Sequence, residues 1–230
     1  MPLIEVEDVT HVYGEQAGRR VVLSEVSVRL TEQRIGVIGA NGSGKSTFVR
    51  LLNGLVLPTH GSVRIDRLDT RTDGREVRRR VGFCFSDPDA QIVMPTVAED
   101  VAFGLRRRGL TKQAISSRVA TTLTKYGLES HADHPAHLLS GGQKQLLALC
   151  SVLVTEPSVL VLDEPTTLLD LRNAARVADV LDELDHQVIL VTHHLEELDD
   201  FDRVLVFDDA RLVHDGAPVE AVEHYRKLTT

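Results

Sequence analysis

The stretch RIGVIGANGSGKST, residues 34–47, constrains the fold more than any other part of this 230-residue chain. A short β-branched run ends at Gly39, a helix pattern begins at Lys45, and the spacing between them is G-x-x-x-x-G-K-[ST]. Such a loop lets backbone N–H groups surround phosphates, while the lysine reaches the terminal phosphates and the Ser46 hydroxyl suits Mg²⁺. The alternative is a glycine-rich turn that only happens to precede Lys-Ser. The context favours a nucleoside triphosphate held by Gly39, Ala40, Asn41, Gly42, Ser43, Gly44, Lys45, Ser46 and Thr47.

The remaining patterns predict an α/β fold. Strands are predicted at 3–10, 21–30, 62–65, 81–85, 159–162 and 187–192, and a hairpin with a short helix is predicted from 203 to the end. Helices are predicted at 45–52, in most of 96–126, at 140–155 and at 171–184, the last with apolar positions at Leu171, Ala174, Val177, Ala178, Leu181 and Leu184. We expect a mainly parallel sheet with an antiparallel part at the N-terminus. The chain is interpreted as one domain, 1–230, with a core at 1–90 and 156–230 and a helical lobe inserted at about 91–155.

Composition excludes several classes of function. A net charge of −8 disfavours nucleic acid as a partner. No apolar run approaches the roughly 18–20 residues that span a bilayer, and the start, MPLIEVEDVT, lacks the pattern of a secretion signal, so a cytoplasmic location is expected. The basic runs at 75–80 and 106–108 are interpreted as solvated helix faces, with contact to a membrane surface or membrane partner as the alternative. Cys84 and Cys150 lack C-x-x-C spacing and are predicted to be buried thiols.

A second candidate site follows an apolar strand in VLVLDEPT, residues 159–166. Parallel sheets present ligands at the carboxyl ends of their strands, which is where Asp163 and Glu164 lie. Asp163 is predicted to hold Mg²⁺ through water, and Glu164 to orient or deprotonate an attacking water. An acidic pair that caps a helix is the alternative interpretation.

A third motif, LSGGQKQ at 139–145, opens the helix predicted at 140–155. Ser140 and the backbone amides of Gly141 and Gly142 at a helix N-terminus form a second possible phosphate site. Together with the two preceding motifs, this stretch resembles the signature of ATP-binding-cassette (ABC) ATPases over essentially the whole chain. The resemblance implies the P-loop NTPase fold of that family, ATP and Mg²⁺ as cofactors, and a head-to-tail dimer. In that dimer Ser140, Gly141, Gly142 and Gln143 would contact the nucleotide of a second, identical or different, ATPase subunit.

Further family positions follow from the same resemblance. Tyr13 lies about where the family carries an aromatic ring that stacks on adenine, and a core tyrosine is the alternative. Asp170 matches the acid of the loop that crosses the dimer interface, although TTLLD departs from the usual family sequences. His193 matches the histidine that contacts the γ-phosphate. His194 follows where the family usually has an acid, so the second imidazole remains an alternative.

The stretch FSDPDAQ, residues 85–91, resembles the group-specific sequence FQNPDxQ of energy-coupling-factor importers. The resemblance places Ser86 where the family has its Mg²⁺-sensing glutamine and Gln91 at a second glutamine, so either is a candidate metal contact. As a calcium loop the stretch fails, because it would need Gly and Glu where Ile92 and Ala98 stand. The histidines of HADHPAH, 131–137, are interpreted as loop residues rather than as a metal site, since Pro135 interrupts the helix pattern.

The resemblance therefore implies an ATPase subunit of an energy-coupling-factor importer, most similar to that of biotin importers. Its partners would be a transmembrane coupling protein and a substrate-binding membrane protein, with the ATPase located peripherally on the inner face of the membrane. A cobalt, nickel or other vitamin importer is one alternative. The other is a catalytically silent, nucleotide-dependent interaction module.

Overall fold

The computed structural model describes residues 1–14, 18–106, 108–167 and 169–228. The chain divides into two compact units. Unit 1 contains Met1–Val81, Ser158–Asp163 and His186–Thr230, and unit 2 contains Gly82–Pro157 and Glu164–Asp185. The second unit thus takes in a segment after Asp163 that the sequence analysis assigns to the core. The interpretation as one domain with an inserted lobe stays a prediction.

Unit 1 begins with an antiparallel sheet, as predicted for the N-terminal part. It contains β1 (Ile4–Tyr13), β2 (Arg20–Leu30), β4 (His60–Ile65) and β5 (Leu68–Asp69), in the order β2-β1-β4-β5. The pairs β1–β2, β1–β4 and β4–β5 are all antiparallel. Alternate residues of β1, among them Ile4 and Val6, are buried, which is the pattern expected of a sheet with one face on a core.

The second sheet in unit 1 is mainly parallel and positions the candidate site. It contains β3 (Arg34–Gly39), β7 (Val159–Asp163), β8 (Gln187–Val191), β9 (Arg203–Asp208) and β10 (Arg211–Gly216). Within this unit the strands lie in the order β10-β9-β3-β8-β7, and only the hairpin β9–β10 is antiparallel. Because parallel strands end at one edge, the segments that follow β3, β7 and β8 lie at the same side of the sheet.

Helices α1 (Lys45–Leu52), α2 (Gly74–Arg80) and α7 (Pro218–Leu228) complete unit 1. The first matches its predicted bounds, and its buried Phe48 ring lies 4.9 Å from that of Phe207 in β9. The predicted hairpin at 203–216 is confirmed. Strand β6 (Val81–Cys84) begins at the last residue of this segment and continues into unit 2, one residue shorter than predicted.

Unit 2 is helical. It contains α3 (Val97–Phe103), α4 (Lys112–Lys125), α5 (Gly141–Leu153) and α6 (Leu171–Asp182), with a 3₁₀ turn at Pro88–Ala90. The predicted apolar face of α6 is wrong at Leu171, which is 91% exposed, whereas Val177 and Leu181 are buried. Leu171 stands in the first turn of the helix. Cys84 and Cys150 are buried, as predicted.

Among the described residues, no helix combines the length and the apolar character needed to cross a membrane. The basic run at 75–80 lies in α2 and ends in exposed arginines, as interpreted from the sequence. Arg107 of the second basic run lies outside the described residues.

Candidate nucleotide-binding site

The loop between β3 and α1 forms the centre of the candidate site. Gly44 is the N-cap of α1 and has φ 107°, a left-handed conformation that favours glycine. A Cβ at this position would lie 2.5 Å from the Val22 carbonyl oxygen, so no larger residue fits. No side chain caps this helix end. The backbone N–H groups of the first turn, which have no partner within the helix, are therefore directed at any anion in the loop.

Lys45 closes the loop from the inside. Its Nζ donates hydrogen bonds to the carbonyl oxygens of Gly39 at 2.7 Å and Ala40 at 2.9 Å. The residue is 5% exposed, so a strongly hydrated ammonium group is kept largely out of water. The Ser43 Oγ is buried and has no hydrogen-bond partner among the described residues. A cation and an unpaired buried donor in one loop fit a phosphate group well.

Ser46 joins this loop to the end of β7. Its Oγ donates a hydrogen bond of 2.9 Å to Oδ1 of Asp163, across 117 positions of sequence. Strand β8 lies between β3 and β7, so α1 must reach over it for the two side chains to meet. A hydroxyl oxygen and a carboxylate oxygen are ligands that Mg²⁺ prefers, and these residues fit that ion.

Glu164 follows Asp163 directly and has a backbone conformation that is uncommon for this residue type. Its φ is 54°, in the left-handed region that costs of order 1 kcal/mol for a residue with a Cβ. Oε2 accepts a hydrogen bond of 3.2 Å from the Thr167 hydroxyl. The carboxylate is thus oriented by a neighbour in the following turn, and backbone strain of this kind is concentrated at functional sites.

The segment after β8 contains the two candidate histidines. The His193 side chain is exposed, and its ring lies 4.3 Å from that of His194. Nδ1 of His194 lies 3.7 Å from Glu196, and its backbone N–H donates to the Thr192 hydroxyl at 3.0 Å. The second histidine is therefore tied into the following 3₁₀ turn. This arrangement leaves His193 as the more accessible ring.

Tyr13 ends β1 and is 43% exposed, with one edge toward His11 at 4.5 Å between ring centroids. The two rings are inclined at 82°, an edge-to-face arrangement that holds the tyrosine in place. Burial lowers the pKa of His11, so the imidazole is neutral at physiological pH. Tyr13 therefore presents a ring that could stack on a base.

The motif at 139–145 forms a helix start in unit 2. Ser140 is the N-cap of α5, and its Oγ accepts from the Gln143 N–H at 3.4 Å, while Gln143 Oε1 accepts from the Ser140 N–H at 2.9 Å. This reciprocal pair is a capping box. Gly142 is buried beside Asn173 of α6, and Gly141 is exposed.

Asp170 caps the next helix of the same unit. Its carboxylate accepts hydrogen bonds from the backbone N–H of Asn173 at 2.9 Å and from the Asn173 side chain at 3.0 Å. The structure therefore gives this acid a local role in starting α6. Leu168, within the predicted interface loop at 166–170, lies outside the described residues.

The two candidate metal contacts in FSDPDAQ differ in their surroundings. Gln91 uses both polar ends, since Oε1 accepts from the Phe85 N–H at 3.1 Å and Nε2 donates to the Ala148 carbonyl at 2.9 Å. Ser86 is half-buried. Oε1 has a second lone pair, so a metal contact through Gln91 does not require either bond to break, and the choice between Ser86 and Gln91 stays a prediction.

The same loop is fastened to α5 by two further side chains. Lys144 donates to both carboxylate oxygens of Asp89, at 2.7 and 3.1 Å. Gln145, which is 1% exposed, donates to the Phe85 carbonyl at 3.3 Å. Within unit 2, FSDPDAQ and the first turns of α5 thus form one hydrogen-bonded assembly.

Of the histidines at 131–137, His131 is held by neighbouring polar side chains. Gln143 Nε2 lies 3.0 Å from Nε2 of His131, whose Nδ1 lies 3.1 Å from the Ser130 hydroxyl. Among the described residues there is no group of three or more potential ligands that could hold a metal ion. Their interpretation as loop residues agrees with this arrangement.

A family model described as ABC transporter matches residues 23–167, which include the loop after β3, Asp163, Glu164 and the start of α5. The chain belongs to the ABC transporter family. The residues that suggest the resemblance in the sequence are thus the ones that the family model spans.

Similar proteins support this membership over nearly the whole ATPase. A putative ABC transporter ATP-binding protein of Bartonella quintana is 52% identical, over 98% of each chain. The biotin transport ATP-binding protein BioM of Rhizobium etli is 49% identical, over 94% of this chain and 96% of that protein. The energy-coupling factor transporter ATP-binding protein EcfA1 of Caldanaerobacter subterraneus is 38% identical, over 98% of this chain and 84% of that protein.

Solved structures show the same fold. CbiO1 of Clostridium perfringens, part of the ABC transporter complex cbiONQ, has a TM-score of 0.82 at 31% identity and covers 98% of this chain and 94% of its own. A dimeric ATP-binding cassette in a post-hydrolysis state, bound to ADP and Pi, has a TM-score of 0.82 at 27% identity and covers 94% of this chain and 98% of its own. These matches confirm the predicted ABC ATPase fold.

The comparisons also confirm that this ABC protein is a nucleotide-binding ATPase coupled to transport and that it resembles the energy-coupling-factor group. ABC ATPases dimerise and act with membrane components.

Sequence reasoning missed Arg50. Its Nη2 donates to Oδ2 of Asp163 at 3.3 Å, beside the Ser46 contact to the other carboxylate oxygen. The available signal was its spacing, because Arg50 stands four residues after Ser46 and so shares its face of α1.

Proposed function

We propose that this ABC protein is the Mg²⁺-dependent ATPase subunit of an energy-coupling-factor importer for biotin. The Ser46–Asp163 contact carries the ATPase part of this proposal, since it joins the phosphate loop to the acidic strand end. The similarity to BioM supports biotin as the solute. The acid Glu164, directly after Asp163, supports catalysis over a silent nucleotide-dependent module.

The phosphate-binding part of the site uses residues 39–47. Lys45 and the N-terminus of α1 supply positive charge, and Ser43 supplies an unpaired hydroxyl. Ser46 and Asp163 are the residues that would hold Mg²⁺, with Ser86 or Gln91 as a further contact. The ion, when bound, neutralises phosphate charge.

Hydrolysis is assigned to Glu164 and His193. The Glu164 carboxylate orients the attacking water and accepts its proton, and the Thr167 hydroxyl fixes its direction. His193 contacts the γ-phosphate through its exposed ring, and Tyr13 stacks on the adenine. Each of these roles requires a group that is accessible at the edge of unit 1 or at the start of the loop after β7.

A second chain completes the site. Ser140, Gly141, Gly142 and Gln143 are proposed to bind the nucleotide carried by the other subunit, and Asp170 to lie at the interface. The 91% exposed Leu171 next to Asp170 supports this assignment, because such a side chain at a helix start is stabilised by burial against a partner.

We assign the transmembrane coupling protein to an open cleft of about 280 Å³ in unit 2. The cleft adjoins the 3₁₀ turn of FSDPDAQ and is lined by Asp89, Ile92, Val93, Met94, Pro95, Ala136 and His137. Val93 is 62% exposed, so an apolar side chain is available to a helical segment of the partner. Val93→Asp should abolish co-purification of membrane partners, whereas Val219→Asp, at a valine that is 72% exposed in α7, should retain it.

The catalytic assignment is tested with Glu164→Gln, which keeps the side-chain volume and removes the base. ATP binding should persist, phosphate release should fall at least about 100-fold, and an ATP-bound dimer should accumulate in size-exclusion chromatography. Glu129→Gln, an exposed acid of the same unit, is the control and should hydrolyse ATP normally. Hydrolysis at the wild-type rate by Glu164→Gln would contradict the assignment, and a wild type without phosphate release would indicate the silent module.

The solute is tested in proteoliposomes that contain the ATPase together with its co-purified membrane partners. ATP-dependent uptake of labelled biotin is expected, and it should be lost with Glu164→Gln. Uptake of Co²⁺ or Ni²⁺ in place of biotin would identify the alternative importer. Absence of any membrane partner would argue against a transport role for the chain.

A further inference from the structure

The carboxylate of Asp163 is almost completely removed from water, because the residue is 3% exposed. A buried carboxylate is costly unless its charge is compensated and its oxygen atoms accept hydrogen bonds. Both requirements are met by one face of α1. Ser46 Oγ donates to Oδ1 at 2.9 Å, and Arg50 Nη2 donates to Oδ2 at 3.3 Å.

We propose that the guanidinium of Arg50 is a counter-charge of Asp163 until Mg²⁺ arrives and takes its place. This inference rests on the proposed function, since it requires Mg²⁺ to be held by Ser46 and Asp163. By binding Oδ2, Arg50 keeps the carboxylate turned so that Oδ1 stays with the Ser46 hydroxyl in the metal-free protein.

The contact between Arg50 and Asp163 is weak enough for a metal ion to replace it. A strong guanidinium–carboxylate hydrogen bond is usually about 2.7–2.9 Å long and often bidentate. Here a single contact of 3.3 Å is formed, and the Arg50 side chain is 39% exposed. The Nε of Arg50 is buried and has no hydrogen-bond partner among the described residues. The guanidinium is thus only partly satisfied by Asp163, and a divalent cation at the carboxylate weakens its hold further by charge repulsion.

Replacement of Arg50 by the metal predicts that Arg50 stabilises the metal-free protein and opposes formation of the metal-bound one. Without metal, Arg50 stabilises the fold because it compensates a buried charge. With metal, the same positive charge opposes binding of the second cation. Removing Arg50 should therefore destabilise the metal-free protein and, at the same time, increase its apparent affinity for Mg²⁺. A residue with only a structural role would not change the metal affinity in this direction.

The experiment compares thermal unfolding of the full chain with a non-hydrolysable ATP analogue, in EDTA or across a Mg²⁺ titration. In EDTA, Arg50→Met should lower Tm by about 5 °C or more. The Mg²⁺ concentration at half-maximal rise in Tm should fall about fivefold. Arg50→Lys, which keeps the charge, should remain near the wild type in both measurements.

Arg118→Met is the matched control. The Arg118 side chain is 40% exposed and contacts a carboxylate at 3.2 Å, but that carboxylate, on Glu156, is 70% exposed. It should change neither Tm by more than about 1–2 °C nor the Mg²⁺ midpoint, because exposed ion pairs contribute little. If Arg50→Met does not fold, Asp163→Asn combined with Arg50→Met keeps the inference testable. With a neutral site, loss of Arg50 should lower Tm no more than the control does.

The outcomes separate the inference from the function on which it rests. An unchanged Tm in EDTA for Arg50→Met, or a Mg²⁺ midpoint that stays the same or rises, overturns the replacement of Arg50 by the metal. A large further fall in Tm on adding Arg50→Met to Asp163→Asn also overturns it, since Arg50 would then act elsewhere. A wild type whose Tm does not respond to Mg²⁺ overturns the metal site itself, and the replacement of Arg50 by the metal with it.

Discussion

Two helices of this ABC ATPase begin at glycine-containing motifs that are proposed to bind phosphate. Their N-termini differ in whether side chains accept hydrogen bonds from the first backbone N–H groups. At α1 the N-cap is Gly44, and no side chain accepts a hydrogen bond from the first turn. At α5 the N-cap is Ser140, and a capping box with Gln143 pairs the backbone N–H groups of these two residues. One helix start has no side-chain cap, whereas the other is closed in part by its own side chains.

The lysines that accompany the two motifs differ in the same way. Lys45 is buried, and its Nζ donates to the backbone carbonyls of Gly39 and Ala40 in the phosphate loop. Lys144 instead pairs with the carboxylate of Asp89, which neutralises its charge. We therefore expect the first helix start to bind a triphosphate by itself. The second offers backbone and hydroxyl groups with little net charge, so we expect it to bind only a nucleotide that another subunit holds in place.

The largest expected effect comes from removing the lysine of the helix start without a side-chain cap. Lys45→Ala should weaken ATP binding by at least about 100-fold, because a buried cation that faces the phosphates is lost. Lys144→Ala should leave ATP binding by the isolated subunit within about threefold of the wild type. Isothermal titration calorimetry of both variants measures the contrast. Equal losses in the two variants would show that the helix starts do not differ as described.

A second prediction separates the two glycines of the closed site. A Cβ at Gly142 would overlap the Asn173 side chain and lie 2.7 Å from its Cβ, whereas a Cβ at Gly141 would meet nothing within 4 Å. Gly142→Ala should destabilise the fold by about 1–3 kcal/mol and lower ATP hydrolysis about tenfold or more. Gly141→Ala should stabilise α5 by up to about 1 kcal/mol, since alanine favours a helix.

Denaturant unfolding and phosphate release measure these effects. An Asn173→Gly background removes the whole overlapping side chain, including its Cβ, so adding Gly142→Ala there should cost little further stability. If Gly142→Ala costs as much in that background as in the wild type, the close approach of the two helices is not the cause.

A third prediction concerns the cap itself. Ser140→Ala should cost about 1 kcal/mol of stability, a fall in Tm of about 2–4 °C, because a hydrogen-bond acceptor for the Gln143 N–H is lost. It should also lower the hydrolysis rate several-fold. The control is Thr111→Ala, since the Thr111 hydroxyl caps α4 in the same manner, accepting from Ala114 at 3.2 Å. That variant should show a similar fall in Tm with normal hydrolysis, and reduced hydrolysis in both would assign the effect to stability alone.

The smallest expected effect is on the alkylation of two buried cysteines. It tests whether α5 stays packed when ATP is added. Burial raises the pKa of Cys84 and Cys150 to about 12, so both thiols remain protonated and unreactive at pH 8. Alkylation by iodoacetamide should label neither residue in the folded protein, with or without ATP, and both after unfolding. Labelling of Cys150 on addition of ATP would show that the helix itself opens.

The same thiols add a term to the pH dependence of stability. Their pKa is higher in the folded than in the unfolded chain, so the native state favours the protonated form. This stabilisation is complete below about pH 8.5, the ordinary pKa of cysteine, and is lost as pH rises toward 12. Chemical denaturation at pH 8 and pH 10 should therefore show lower stability at the higher pH, and Cys84→Ser should reduce the difference.

Local patterns in the sequence are sufficient to predict most helices and strands and the main motifs. The strand end before Gly39, the start of α1 at Lys45 and the Ser140 start of α5 depend on residues that are neighbours in the chain. Such local patterns follow from backbone preferences and side-chain periodicity, and for that reason they can be read without a structure. The parallel sheet and the family resemblance follow from the same residues.

Contacts between side chains that are distant in the chain depend on the tertiary structure. The order of β3, β8 and β7 brings Ser46 to Asp163 and adds Arg50, and Phe85 and α5 each bind one polar end of Gln91. The tertiary structure also leaves Leu171 exposed at a position where helical periodicity predicts burial. Periodicity describes one element at a time. A contact across 117 positions, such as that of Ser46 with Asp163, depends on the order of the strands and on the elements that pack against each helix. A local sequence pattern does not contain this information.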